Sequence, residues 1–336
     1  MRAMVINRVS PVLQGTTPLQ LVNLPVPEPA AGELRVRVAT CGVCHTELDE
    51  IEGRTPPPHF PVVPGHEIVG RVDKLGAGAQ RYRIGDRVGI GWIHSSSGAA
   101  DENLDPAFKA TGRDVNGGYA EYLTVPEAYT YPIPEIFSDQ EAAPLLCAGG
   151  VGYRALKLTG IRDGDSLGLT GFGGSAHIVL QLARHLYPHS RLYVFARDPQ
   201  ARRFARDLGA DWAGETQERP PDLLHAVIDT TPAWLPVIAA LGVLRPGGRL
   251  VINAIRKEDG DKRQLLELSY QHHLWLEKEI KTVANVTHTD LAEFLPIAAQ
   301  IPIRPEVSTY ALEQANEALV DLKHRPVRGA KVLQIG

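Results

Sequence analysis

The sequence predicts an α/β protein: a β-rich domain into which a doubly wound parallel sheet is inserted. Three observations carry that prediction. Short β-rich runs fill the chain before residue 150, strands and helices alternate from Arg154 to about Ala284, and a mixed pattern returns after about Val286. The implied boundaries are 1–150 plus 288–336 for the β-rich domain and 151–287 for the insert. A chain of 336 residues is long enough for two domains, at roughly 150 residues per domain.

In the first part, Leu34–Ala39, Ile68–Val72 and Arg87–Ile90 read as strands. Proline and glycine clusters separate them, among them Pro25 to Pro29, Pro56 to Pro58, Gly65 and Gly85. Several short strands between turn signals suggest a compact barrel or sandwich. In the insert, Ser166–Leu169, Arg191–Phe195, Ala226–Asp229 and Arg249–Ile255 read as strands. Ser175–Leu186, Pro199–Leu208 and Ala233–Leu244 read as the helices between them, and Pro246-Gly247-Gly248 as a turn. Such alternation predicts a parallel sheet covered on both faces. The tail supplies a helix near Leu312–Lys323 and a last strand Ala330–Ile335.

Composition narrows the class of function. With 43% apolar and 22% charged residues the chain is of ordinary globular type. Lys and Arg (35) nearly balance Asp and Glu (39), so charge points to neither nucleic acid nor an anionic membrane surface. No apolar run approaches the roughly 20 residues of a membrane span, and the first residues lack a secretory pattern. The expectation is a cytoplasmic enzyme.

Gly171-Phe172-Gly173-Gly174-Ser175-Ala176 stands between a strand and a helix and matches G-x-G-x-x-[G/A]. The first glycine permits the tight turn, the second lets a pyrophosphate approach the backbone, and the small last residue allows close helix–strand packing. Ile178, Val179, Leu182, Ala183 and Leu186 give the following helix its apolar face. This context predicts dinucleotide binding by Gly171, Gly173, Gly174, Ser175 and Ala176. At the end of the next strand, where NAD-binding versions place an acid, stands Ala196, followed by Arg197 and then Asp198. A small residue before an arginine suits a 2′-phosphate better than a ribose diol. The expectation therefore leans to NADP, with Arg197 as the phosphate contact.

The chain has three cysteines, Cys41, Cys44 and Cys147. An odd, small number argues against a disulfide framework. Cys41-Gly42-Val43-Cys44-His45 has the form of a haem-attachment sequence, which requires export. As half of a structural zinc site it lacks a second C-x-x-C pair. As a redox pair it lies outside any βαβ unit. Buried, inert thiols are the plain alternative.

Taken in order along the chain, Cys41 to Leu48, Val63-Pro64-Gly65-His66-Glu67, Gly85-Asp86-Arg87-Val88, Gly117 to Tyr122, Ala142 to Gly150, the glycine turn and Pro246-Gly247-Gly248 resemble the medium-chain zinc-dependent alcohol dehydrogenases. The resemblance spans nearly the whole chain. It implies a GroES-like β-rich catalytic domain with an inserted Rossmann domain, and a reversible hydride transfer between an alcohol and NAD(P). It places the catalytic zinc on Cys44, His66 and Cys147, with Glu67 close to the metal. Two thiolates, an imidazole and an open fourth position form a recognised catalytic arrangement. By the same resemblance Glu47 orients His66, His45 contacts the cofactor pyrophosphate, and the alcohol proton leaves through Thr46. Asp49 then stands at the surface end of that path, where many relatives have histidine. Trp92 and Thr55 fall near positions that line the substrate pocket.

Three departures accompany the resemblance. Trp92 to Asp105 carries no cysteine, so the four-thiolate structural zinc of many relatives is not expected and one zinc per chain is. Glu47 replaces the usual aspartate. Ala330 stands where relatives often have a pyrophosphate-binding arginine, with Arg328 a possible substitute. The alternatives are a zinc-free quinone or enoyl reductase of the same superfamily, which lacks the Cys/His/Cys set, and a non-enzymatic dinucleotide-binding protein. A polyol dehydrogenase would more often carry an acidic third ligand in place of Cys147. The resemblance also implies a homodimer or homotetramer acting on a small alcohol or aldehyde.

Overall fold

Alternation of apolar and polar side chains makes Glu33–Val43 the organising strand of the first unit. Leu34, Val36 and Val38 are buried, while Arg35 and Arg37 face outward, the period-two pattern of a strand with one face on a core. The strand pairs antiparallel with Ile68–Leu75, Ala330–Gln334 and Tyr122–Pro126. Its last residues, Cys41 to Val43, are all buried, so the strand runs into the interior before the chain turns. The structure, a computed structural model, describes residues 1–325 and 329–336; Arg328 lies outside them. The first unit comprises Met1–Gly150 and Asn285–Gly336, the second Val151–Ala284.

The larger sheet of the first unit has the order Val307–Ala311, Ala330–Gln334, Glu33–Val43, Ile68–Leu75, Arg87–Ile90, Thr130–Pro132, with Tyr122–Pro126 joined to Glu33–Val43. Leu34, Val36, Ile68, Val88, Ile90, Leu123 and Leu333 share its core. Among the described residues, four α-helices here were not foreseen from the apolar pattern: His45–Ile51, Asp139–Ala142, Ala148–Thr159, which spans the boundary at Gly150, and His288–Gln300. The helix foreseen over Leu312–Lys323 divides into a 3-10 turn, Leu312–Gln314, and an α-helix, Ala315–His324.

The second unit is a six-stranded parallel sheet in the order Trp212–Gly214, Arg191–Phe195, Ser166–Thr170, Leu224–Asp229, Leu244–Ile252, Glu279–Thr282. Numbered along the chain, this is 3-2-1-4-5-6, the dinucleotide-binding order, which reverses beside the first strand. Ser166–Thr170 is buried throughout, as a strand covered on both faces must be. Pro246-Gly247-Gly248 is looped out between the paired residues Leu224–Leu244 and Ala226–Arg249. The helix expected from Ala233 spans Leu235–Val243, because the Asp261 carboxylate accepts the N–H groups of Trp234 and Leu235 and fixes its start. The second boundary falls at Ala284/Asn285, not 287/288, because Asn285 turns with φ 68° and Val286 is already buried beside Leu291 over Gly150. No helix among the described residues is long and apolar enough to cross a membrane.

Candidate active site

Cys44 follows the buried end of the organising strand and is the N-cap of the helix His45–Ile51. Its sulfur accepts the Thr46 N–H at 3.3 Å, and Glu47 Oε2 accepts the Cys44 N–H at 2.8 Å. Together they form a capping box, which calls for Glu or Gln at the third helical position. Glu47 Oε1 lies 2.6 Å from His66 Nδ1. One carboxylate thus fixes the backbone of Cys44 and the ring of His66, a double reach that explains glutamate in place of the shorter aspartate. Holding Nδ1–H in this way presents the other ring nitrogen, Nε2, as the ligand atom.

His66 and Glu67 follow Gly65, whose φ of 100° no ordinary side chain adopts readily, and a Cβ there would collide with the Tyr119 ring and the Cys41 sulfur. Cys41 is wholly buried, a packing thiol. Glu67 lies over Gly42, where a Cβ would overlap its carboxylate. Cys147 closes the 3-10 turn Ala143–Leu146. These elements bring the ligand atoms of Cys44, His66, Glu67 and Cys147 within 4.8 Å of one another. The Trp92 ring meets the His66 ring edge-on at 4.8 Å.

The donor chemistry fits zinc. Cys44 Sγ and His66 Nε2 are 3.6 Å apart, and tetrahedral zinc with ordinary Zn–S and Zn–N bonds separates such atoms by about 3.6 Å. The electrostatics point the same way. The hydrogen bond with Cys147, then burial, push the Cys44 thiol well up. At Cys147 the bond from Cys44 acts downward, but burial and Glu67 outweigh it. Burial carries Glu67 up to about 7. Burial acts to lower His66, and Glu47 with Cys44 overcome it and raise it well above the usual range. Several groups able to carry negative charge crowd around one imidazole, a demand that a divalent cation meets.

Thr46 is buried next to Cys44, and His45 is exposed at the start of the helix. Thr55 is also exposed, its N–H donated to Asp49 O at 3.1 Å. Asp49 requires a correction: it is not a surface group. Its side chain is 2% exposed and forms an ion pair with Arg54. The turn after the helix folds Arg54 back over it, with the Arg54 N–H donated to Asp49 O at 2.9 Å.

The lobe without cysteines is organised by Glu102, a residue the sequence did not single out. Fully buried, it accepts from the His288 N–H at 2.6 Å, contacts His288 Nδ1 at 2.7 Å, and accepts from the Tyr129 hydroxyl at 2.8 Å and the Gly98 N–H at 3.1 Å.

In the second unit Gly171 turns with φ 78° after the first strand. Gly173 is the N-cap and Gly174 the first residue of the helix Gly174–Leu186, with Ser175 following and Ala176 buried. A Cβ at Gly173 or Gly174 would meet open space, so packing does not require glycine there. That space is what a pyrophosphate needs to reach the backbone N–H groups. Ala196 is buried and Arg197 exposed. The Asp198 carboxylate accepts the Gln200 N–H at 2.9 Å as the N-cap of Pro199–Asp207.

The comparisons with known proteins agree with this geometry. Residues 30–135 match the family model of the alcohol dehydrogenase GroES-like domain. The chain is 42% identical over 346 residues to a probable alcohol dehydrogenase of Mycobacterium tuberculosis, covering 100% of this chain and 97% of that one. It is 33% identical over 352 residues to an alcohol dehydrogenase of Geobacillus stearothermophilus, covering 100% and 99%. A solved NAD-dependent alcohol dehydrogenase superposes with a TM-score of 0.88 at 27% identity, covering 100% of both chains.

Proposed function

The chain belongs to the medium-chain zinc-dependent alcohol dehydrogenase family and is an NAD(P)-dependent alcohol oxidoreductase; from that premise we propose that one zinc ion is held by Cys44, His66 and Cys147. Bound there, zinc supplies a Lewis acid for an alcohol or carbonyl oxygen, and NAD(P) supplies the hydride partner. The two thiolates and His66 Nε2 hold the ion, and Glu47 keeps Nε2 directed at it. Glu67 stands alongside as a carboxylate able to approach it. The buried Thr46 hydroxyl relays the alcohol proton, accepting it as its own proton passes on to the next acceptor. Asp49, buried in its ion pair with Arg54, is not its surface outlet, and the exposed His45 beside Thr46 would contact the cofactor pyrophosphate.

The observation that carries this reading is the Glu47 carboxylate shared between Cys44 and His66, since a partner fixing both ligands is the mark of a built metal centre. The test is metal analysis combined with NADH and NADPH oxidation on a small panel of aldehydes and ketones. Activity that depends on zinc and is lost to a chelator supports it. A metal-free preparation that is active and insensitive to chelator overturns it in favour of a zinc-free reductase.

Two further parts belong to the same proposal. The cofactor is NADP, because Ala196 offers no ribose acceptor, Asp198 is committed to a helix cap and Arg197 is exposed beside them. Residues Gly171, Gly173, Gly174, Ser175 and Ala176 hold its pyrophosphate. The enzyme is a homodimer or homotetramer joined through the edge strand Glu279–Thr282, which is exposed along its length with Ile280 47% accessible; exposed apolar edges are association sites. Its free cysteines suit a reducing cytoplasm, and its substrates are primary aliphatic or aromatic alcohols and their aldehydes.

A further inference from the structure

Asp229 ends the strand Leu224–Asp229 with no exposed surface. Its Oδ1 accepts the hydroxyls of Thr170 at 2.6 Å and Thr231 at 2.8 Å, and the Thr231 N–H at 3.2 Å. Its Oδ2 is ion-paired with Lys257 Nζ, which also donates to Thr231 O at 2.8 Å and Ala233 O at 3.0 Å. The Lys257 side chain is 10% exposed, and the three protons of its ammonium group match three acceptors. A buried pair this fully satisfied holds geometry more than it adds stability.

What it holds is a clamp between two segments. One leaves Leu224–Asp229 and carries Thr230 to Ala233; the other leaves Leu244–Ile252 and carries Asn253 to Lys257. Glu258 N–H donating to Pro232 O at 2.7 Å and Asn253 N–H donating to Asp229 O at 2.7 Å run alongside. The clamp adjoins the glycine turn. A Cβ on Gly171 would meet Thr230 Oγ1 and Thr231 Cγ2, each at 2.9 Å. Asn253 Nδ2 lies 3.4 Å from Ser175 Oγ, and Asn253 Oδ1 is buried without a hydrogen-bond partner.

Position decides which part of the ligand is concerned. Ligands of doubly wound sheets bind beyond the carboxyl ends of the strands, where the order reverses, with the adenosine ribose at the end of the second strand. Here that strand is Arg191–Phe195, on one side of Ser166–Thr170, and Asp229 and Asn253 stand on the other. That side receives the nicotinamide half. We propose that Lys257 is a positioning residue for the nicotinamide half of the cofactor, holding Thr230 to Ala233 and Asn253 as the wall of that half-site. The inference rests on the reading of the glycine turn as a dinucleotide site.

The test titrates the full-length protein with NADPH and NADH by fluorescence and with 2′-AMP and AMP by competition, in wild type and Lys257→Met. The expected result is a loss of at least tenfold in dinucleotide affinity with nucleotide-fragment affinity held within twofold. Equal losses for dinucleotide and fragment, or no loss, overturn the proposal, since a merely structural role would not separate the two. Thr231→Val, which removes one hydroxyl from Asp229, decides the matter if Lys257→Met does not fold: a dinucleotide-selective loss of threefold or more is expected, and none overturns it. A wild-type protein that binds neither NADH nor NADPH removes the dinucleotide reading itself, and the role of Lys257 with it.

Discussion

Glu47 Oε1 lies 2.6 Å from His66 Nδ1, with both side chains buried, while the other oxygen of the same carboxylate accepts the Cys44 N–H at 2.8 Å. The helix start and the ring orientation are therefore one structural fact. Glu47→Gln keeps the cap acceptor but weakens the hold on His66, and zinc affinity is expected to fall about 10- to 100-fold. Glu47→Asp reaches one partner but not both, so its affinity falls as well. Competition with a chromophoric chelator measures each; unchanged affinity in both variants would refute the linkage.

Zinc affinity is also expected to depend steeply on pH. The Cys44 and Cys147 thiols are both raised, the first by its bond with Cys147 and by burial, the second by burial against the downward pull of Cys44. Only thiolates bind the metal, so binding releases their protons. Below both thiol pKa values, each unit of pH lost weakens apparent affinity by at least about 100-fold from the two thiol protons alone, and the raised His66 adds its own proton to that slope. Chelator competition between pH 6 and 8 checks the slope, and a flat profile would count against ligation by two thiolates.

Glu67 makes a prediction about the metal-free protein. Burial raises its carboxyl from the ordinary 4.5 to about 7. The folded state therefore holds a proton that the unfolded state has released, and the Glu67 contribution to stability is fully present below 4.5 and is lost as pH rises to about 7. Between pH 5 and 8 the decline is about 2 to 3 kcal/mol. Glu67→Gln removes it, so the variant gains on wild type as pH rises. Urea denaturation of the chelated proteins at both pH values tests this, and parallel pH dependence would contradict it.

The parts of the fold that were legible in the sequence carry local signals. The glycine turn and the strands around it announce themselves through backbone demands, and the three candidate ligands through motifs in order along the chain. What was hidden depends on distance or brevity. His45–Ile51 is too short to show helical period, although the Cys44–Glu47 capping box marks its start. His288–Gln300 carries Pro296 inside it, which reads as a break, while Thr287 and Asp290 form its capping box. The burial of Asp49 depends on a turn that brings Arg54 back. Asp229 and Lys257 are 28 residues apart and Glu102 and His288 186 apart, and nothing in either local sequence names the partner.

Glu102 is expected to stand in for metal in the lobe. Glu102→Ala leaves buried donors from His288, Tyr129 and Gly98 without their acceptor, a loss of about 3 kcal/mol. Thermal denaturation should show a lowered Tm, and limited proteolysis should cut between residues 96 and 105. An unchanged Tm with a protease-resistant lobe would show that packing alone suffices.

The most direct test of the central claim is the zinc content of the purified protein, measured beside Cys147→Ala. The account predicts about one zinc per chain in wild type, falling to near zero in the variant together with alcohol oxidation. Two zinc ions per chain, or a fully active wild type without any, would contradict it.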